Sequence, residues 1–410
     1  MINKLKRENR FALLKAALLF FSVYSIHLTS MMVTPRIIVL SIVLVLYLLR
    51  GKISINRKQY IFILESLFFC IYAILLVYGF KIPSSDAETI PTYTVNYLIF
   101  VCIFPILSEP LFSDEIDFCS SLFIANSIQS IIVIASAFIP SVRKYLELIQ
   151  EIDFSRYNYR IVGLGLAGAG GSVYLFCGFF AATYLLLYNK RSNFVFIGLY
   201  LINFIAIILV GRTGFYCAVV VLLFTIGKLI QQKNTQSLKF LVGTVFAGFA
   251  IVIALFAISS RYDSNTQVLQ YTFTRLNDIF KSDSALTSIQ KMNQNFPNLG
   301  SRFLTGTGVV RGYTNDGIKI WHDGGYAQRL AAFGLIVMLF SYLSYYKYLR
   351  NYILRKKGSA IYSFYILTSL LLVIIEYKEP FMYMMAYPYC LLMMSILSDN
   401  SPLLEEERIT

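Results

Sequence analysis

Apolar runs of about 18 residues or more recur from one end of this chain to the other, each long enough to cross a bilayer as a helix. A chain built this way has no route to a single water-soluble core. Its composition agrees: 57% of residues are hydrophobic, 14% are charged and the mean hydropathy is +0.64, whereas soluble domains carry about a quarter charged residues. The sequence reads as an all-α, polytopic integral membrane protein. Apolar windows place spans at 11–30, 34–49, 60–79, 94–111, 117–139, 171–188, 193–211, 214–231, 240–259, 325–345, 360–377 and 381–397, or about twelve helices in all.

Lysine and arginine set the orientation, because short cytoplasmic loops hold an excess of both. They collect at Lys4–Arg10, Arg50–Lys58, Lys190–Arg191, Lys228–Lys239 and Lys347–Lys357. These stretches fall on one side if the basic N-terminus, which no small-residue cleavage site follows, is cytoplasmic. Both termini then come out cytoplasmic. The formal charge of +14 is absorbed by topology, and no nucleic-acid partner is expected. The six cysteines, at 70, 102, 119, 177, 217 and 390, lie in or beside apolar runs with no C-x-x-C spacing and read as small core residues. The expected organisation is nine spans within 1–259, a large extracytoplasmic loop over 260–323, three spans within 324–397 and a cytoplasmic tail over 398–410. In the loop, Val268, Leu269, Thr272, Leu276, Ile279 and Phe280 form one helical stripe. A second short helix is expected from Ser284 to Pro297, and the glycine-rich 299–313 is expected to turn.

Four features fall on the expected outer face. "RYNYRIVGLGLAGAGGS" carries Arg160, followed after ten residues by Gly171; "VGRTGF" puts Arg212 in a short turn between spans; Arg302 and Arg311 lie in the glycine-rich part of the loop; "IWHDGGYAQRLAAFG" opens a span with His322, Asp323, Tyr326 and Arg329. A cleft gathering these would suit a polyanion, because arginine stays charged and grips phosphate oxygens with a planar fork. Several arginines at an outer interface suit a lipid-linked diphosphate whose tail lies in the bilayer. A sugar hydroxyl attacking such a donor needs a base, from Asp323 or His322, and the departing diphosphate needs positive charge.

Plainer roles stand beside these. "GLGLAG" fits G-x-G-x-x-G, but a dinucleotide site needs a strand and a βαβ unit, and small residues here suit close helix packing. Arg160 is either an interfacial anchor or a substrate ligand; Arg212 has no topological use in an outer turn. His322 either packs on Trp321 or acts on substrate, and Asp323 is either a helix cap or a base. Arg329, too costly against lipid, is expected to face a polar cavity. Glu65, within a span, reads as a buried partner for a basic residue rather than a proton relay. Tyr157, Tyr159, Tyr313 and Tyr326 could stack on sugar rings, although nothing in the sequence singles them out.

In order and on one expected face, "RIVGLGLAGAGGS", "GRTGF" and "DGGYAQRLAAFG" resemble the signatures of bacterial O-antigen polymerases (Wzy) and the related O-antigen ligases. Arg160 to Gly171 matches the family's arginine-x10-glycine pattern, Arg212 the arginine of its S-R-T-G-like turn, and 316–334 the end of its large loop with the following Phe-Gly. The resemblance implies a GT-C-type membrane glycosyltransferase with no cofactor or metal. It would join undecaprenyl-diphosphate-linked oligosaccharide repeats, at the outer face of the bacterial cytoplasmic (inner) membrane, into O-antigen, capsule or related polysaccharide. Membrane lipids and a chain-length regulator would be its partners. Arg160, Arg212, Arg302, Arg311 and Arg329 would bind substrate with Tyr326 and Gly171, and Asp323 and His322 would be catalytic. Ligases carry histidine at the loop-to-span junction, where counting back from Gly334 finds Asp323; that favours polymerase over ligase. No second arginine-x10-glycine pattern occurs in the loop. A flippase or secondary transporter is the alternative of another class, disfavoured because no repeated halves are found.

This topology predicts opposite labelling of cysteines placed at Ser54 and Ser282 in a background free of native cysteines. An impermeant thiol reagent on intact cells should reach the second only; the reverse pattern inverts the orientation.

Overall fold

The apolar runs fold as helices whose ends follow from local chemistry. The computed structural model describes residues 2–24, 26, 34–49, 55–79, 87–150, 162–188, 193–233, 296–314, 317–359 and 361–398, with isolated positions among 235–254 and at 290. In chain order the helices are α1 (Ile2–Val23), α2 (Pro35–Leu49), α3 (Arg57–Gly79), α4 (Ile90–Leu111), α5 (Glu115–Phe138), α6 (Pro140–Gln150) and α7 (Gly168–Tyr188). They continue as α8 (Phe194–Val210), α9 (Arg212–Gln231), α10 (Gly325–Ile353), α11 (Tyr362–Lys378), α12 (Phe381–Met384) and α13 (Ala386–Leu397). Among the described residues, α3, α4, α5, α7, α9 and α10 are long and apolar enough to cross a membrane, and four shorter apolar helices accompany them. The chain is a mostly helical membrane protein. The expected span 240–259, the loop helices over 268–295, Arg160 and most of the tail fall largely or wholly outside the described residues.

Side chains start several helices. Asp114 caps α5 by accepting from the Asp117 amide at 2.8 Å, with Glu115 and Asp117 in the first turn, where the helix dipole favours negative charge. Asn193 caps α8 by accepting from the Phe196 amide at 2.8 Å. Within α4, Pro105 has no amide to donate one turn back, and the chain widens into a π turn over Leu98–Ile103 just before it.

The helices fit the expected all-α membrane protein, and short strands pair beside them. Among the described residues there are five short strands: β1 (Ala87–Thr89), β2 (Val162–Gly163), β3 (Leu166–Ala167), β4 (Val309–Tyr313) and β5 (Lys319–Ile320). β2 and β3 form an antiparallel hairpin, while β1, β4 and β5 form an antiparallel sheet in the order β1-β4-β5. Part of the glycine-rich stretch expected to turn is thus the central strand of a sheet.

The chain divides into two compact units, one of Met1–Ile42 with Ser113–Ser282 and the other of Val43–Phe112 with Asp283–Thr410. In the first unit α7 is central, with 94% of its apolar window buried, and it packs on α5, α8 and α9. Polar side chains tie these helices together, as they do where no hydrophobic drive separates helix from lipid. Asn126 on α5 donates to the Leu175 carbonyl of α7 at 3.0 Å and to Asn203 of α8; Asn203 accepts from Ser130 at 2.8 Å and donates to Ser127 at 2.9 Å. A Cβ on Gly178 of α7 would overlap the Asn126 side chain, so glycine lets α5 and α7 meet there.

In the second unit the expected single span from 325 is broken. Gly334 has φ 76° and ψ 168° inside α10, so a half-helix over 325–333 precedes the main span. The break frees carbonyls, which membrane interiors do not tolerate without partners. The loop before β4 supplies them: the Thr307 amide and hydroxyl donate to the Ala331 carbonyl at 2.8 and 2.9 Å, and the Gly308 amide donates to Ala332 at 2.9 Å. The approach is close enough that a Cβ on Gly306 or Gly334 would overlap the facing backbone. All six cysteines are buried free thiols, as expected of small core residues. Glu65 has a basic partner, with Lys347 Nζ at 3.7 Å.

Replacing Gly334 by alanine should lower thermal stability in detergent by more than the same change at Gly358. Both have positive φ, but only Gly334 faces packed backbone. Positive φ strains alanine at both positions, and Gly334 with ψ 168° lies in a region only glycine adopts readily, so the excess over Gly358→Ala measures that strain together with the clash. Equal losses would mean that the loop does not hold the break.

Candidate functional site

In the first unit the glycine-rich motif folds as a pinned hairpin. Gly165 sits in the β2–β3 turn with φ 68°, and Gly168 starts α7 with φ 61°, both in the region where only glycine is at ease. Two buried glutamines hold the hairpin. Gln129 donates to the Leu164 carbonyl at 2.7 Å, while Gln150 accepts from the Gly165 amide at 2.6 Å and donates to the Gly163 carbonyl at 3.4 Å. The antiparallel hairpin is not a βαβ unit, which removes the structural basis for reading "GLGLAG" as a dinucleotide fingerprint.

The start of α7 meets the start of α9. The Gly214 amide donates to Ser172 Oγ at 3.0 Å, and a Cβ on Gly211 would lie 2.9 Å from the Gly168 carbonyl oxygen. Two expected features, "GAGGS" with buried Gly171 and the "GRTG" turn, are therefore one junction, at which two helix N-termini adjoin. Arg212 is the first residue of α9 and half-buried. No ion pair or side-chain hydrogen bond joins it to another described residue. Beside it, Thr213 Oγ1 is buried with no hydrogen-bond partner among the described residues.

In the second unit the residues before α10 are extended, and burial alternates strictly over 319–324. Lys319, Trp321 and Asp323 face out; Ile320, His322 and Gly324 face in, the period of two that an extended chain imposes. Arg311 on β4 joins the outward set. Its guanidinium lies 5.2 Å from the Trp321 ring centre and 3.9 Å from Asp323 Oδ1, and Glu88 stands opposite it on β1. His322 packs on Phe296, with ring centres 5.9 Å apart, rather than on Trp321. Its Nδ1 accepts from the Gly324 amide at 2.9 Å, so the neutral ring carries its proton on Nε2. Asp323 does not cap α10: the N-cap is Gly324, with no side-chain cap bond, and the Asp323 side chain is 69% exposed.

Tyr326 is tied down, its hydroxyl donating to the Val373 carbonyl at 2.8 Å. Arg302 is half-buried in a single turn over Gly300–Phe303. Arg329, expected to face a polar cavity, meets a buried carboxylate. It is 1% exposed, with Nε 3.6 Å from Glu376 Oε1 and its guanidinium 4.4 Å from the Tyr342 ring centre. Glu376 accepts from Tyr342 at 2.7 Å and from the Met382 amide at 2.8 Å, and Gly325 packs directly on its carboxylate.

Reading the sequence missed Glu376, Gln129, Gln150, Ser172 and Glu88. Only Glu376 gave a signal: an acidic residue directly behind the apolar run "LLLVII", just ahead of Pro380. No family model, curated protein or solved structure matches this chain.

The Arg329–Glu376 pair is nearly sealed from solvent, with side chains 2% and 0% exposed. Breaking such a pair by removing one partner costs about 3–5 kcal/mol, whereas apolar replacement of both is often neutral. Arg329→Met and Glu376→Met should each depress the unfolding temperature in detergent more than the double variant does. Additive losses would show that the two charges are not coupled.

Proposed function

We propose that this protein is a polymerase of lipid-linked oligosaccharides, a twelve-span, GT-C-type glycosyltransferase of the bacterial inner membrane with both termini cytoplasmic. The growing chain on its undecaprenyl diphosphate is the donor, and the terminal sugar of an incoming repeat is the acceptor. The resemblance of three motifs to O-antigen polymerases underlies this reading. The observation that carries it is the junction of α7 and α9. Adjoining helix N-termini present amide donors and partial positive charge, to which Arg212 adds a full one, and that combination suits an anion such as diphosphate. In the reaction the acceptor oxygen bonds to the donor's anomeric carbon as the bond to the diphosphate oxygen breaks. Asp323 is the candidate to take the acceptor's proton, and the leaving group needs positive charge of the kind that Arg212 and Arg160 carry.

Asp323 rather than His322 is assigned as base because it is exposed, whereas the buried imidazole spends its Nδ1 lone pair on the Gly324 amide. This also favours polymerase over ligase, whose signature calls for histidine at the junction.

Cells lacking the protein should display single repeats in place of a ladder of polymer on gels. Long polymer retained on undecaprenyl lipid would indicate a ligase instead, and repeats trapped on the inner leaflet a flippase. Restoring Arg212→Lys at equal expression should leave chain extension at least about tenfold down, since a point charge does not replace a bidentate fork. Wild-type ladders from both Arg212→Lys and Arg212→Ala would remove Arg212 from the site. Asp323→Asn should abolish extension with protein level intact, and full polymer from it would end Asp323's role as base.

A further inference from the structure

The outward face of the β1-β4-β5 sheet holds a patch unlike the α7–α9 junction. Register places Glu88 opposite Arg311 and Lys319 opposite Tyr313, and cross-strand partners share a face. Arg311 and Tyr313 alternate outward on β4, and the extended chain after β5 brings Trp321 and Asp323 to the same Arg311 guanidinium. Two large rings are thus left in the open, Tyr313 at 49% and Trp321 at 47% exposure. Around them stand two cations and two carboxylates, so the patch has no net charge. Both partners of the Arg311–Asp323 contact are substantially exposed and 3.9 Å apart; a contact of that kind is weak and readily exchanged for a ligand.

We infer that this face is a subsite for the phosphate-free pyranose units of an oligosaccharide, and that Arg311 serves sugar hydroxyls there rather than diphosphate. Deepening the polymerase reading, the inference rests on it for the source of the sugar. The chemistry separates the two regions. A diphosphate needs uncompensated positive charge, which Arg311 lacks with Asp323 beside it and Glu88 across the ladder. A pyranose presents apolar C–H faces that stack on open aromatic rings, and hydroxyls that both donate and accept. Carboxylates accept from such hydroxyls while guanidinium and ammonium groups donate to them. Asp323 then does double duty, since a base must sit where the acceptor hydroxyl is held.

Trp321 is the only tryptophan in the chain, so tryptophan emission, excited outside the tyrosine band and in a tryptophan-free lipid scaffold, reports on this patch alone. The full-length protein in zwitterionic nanodiscs is titrated with phosphate-free oligosaccharide cut from the host's surface glycan, and separately with inorganic pyrophosphate. A saturable emission change with the oligosaccharide is expected, and none with pyrophosphate. Tyr313→Ala should weaken the sugar response about fivefold, the scale of one aromatic contact, and Arg311→Gln should weaken it further. A response to pyrophosphate, an unchanged titration in both variants, or silence towards sugar would each overturn the proposal. So would strong quenching by brominated lipid chains without any sugar response, which marks Trp321 as an interfacial belt residue. Failure here is distinct from failure of the polymerase reading. Arg212-dependent polymer with a silent Trp321 removes the subsite alone, whereas full polymer in cells lacking the protein, with Trp321 responding, removes the polymerase and leaves a sugar-binding site.

Discussion

A backbone that crosses a membrane must satisfy its amides and carbonyls from within, because the hydrocarbon offers them nothing. An intact helix meets this rule without help, and most of the long helices obey it plainly. Where a helix is interrupted the rule becomes a demand on distant sequence, and the break at Gly334 shows how it is met. The Ala331 and Ala332 carbonyls lose the amides four residues down-chain, and Thr307 and Gly308 provide replacements. The loop that ends the half-helix therefore leads directly into β4. The capping loop, the sheet and the half-helix form one hydrogen-bonded assembly.

That assembly explains where charge is buried in the second unit. The half-helix brings Arg329 to Ser341 and Tyr342 on the far side of its own break, an approach a straight helix would not permit at that spacing. A guanidinium so enclosed needs a counter-charge, and Glu376 of α11 supplies it. Glu376 in turn sits against Gly325, the first residue of α10, where a carboxylate also meets the positive end of the helix dipole. The glycines of "DGG" are thus required less for turning than for closeness: Gly324 lies against the Tyr377 carbonyl and Gly325 against the Glu376 side chain.

The sequence made the long helices legible because hydropathy is a property of each segment alone. Boundaries at 34–49, 171–188 and 193–211 fall within a few residues of α2, α7 and α8. Pairing was not legible in the same way. β2, β3 and β5 are two residues each, too short for a period to emerge, and β1 meets β4 across more than two hundred residues. The break in α10 was hidden for the same reason: "AAFGLIVML" is apolar on both sides of Gly334, and the cause of the break lies in "TGTG" far upstream. Grouping polar residues by expected membrane face put Gly171's motif and Arg212's together, and these two meet in the structure. It also put Arg311 and Arg329 into one class, although one is exposed beside Asp323 and the other buried beside Glu376.

The contrast between His322 and Asp323 turns on a single structural parity. They are neighbours, both polar and both plausible bases by composition, and helical reasoning about the span they precede gives no ground for choosing. The chain from Lys319 to Gly324 is extended, so adjacent side chains point to opposite faces. Ile320 fixes the parity: as a fully buried residue of β5 it must face the core, and His322, two residues on, follows it inward. Trp321 and Asp323 are then outward by necessity. A slip of one residue would bury the carboxylate and expose the imidazole, exchanging the roles proposed for them. What holds the register is the ladder of Gly312 with Ile320 and Tyr313 with Lys319, so a short sheet decides which of two titratable groups is exposed and which is buried.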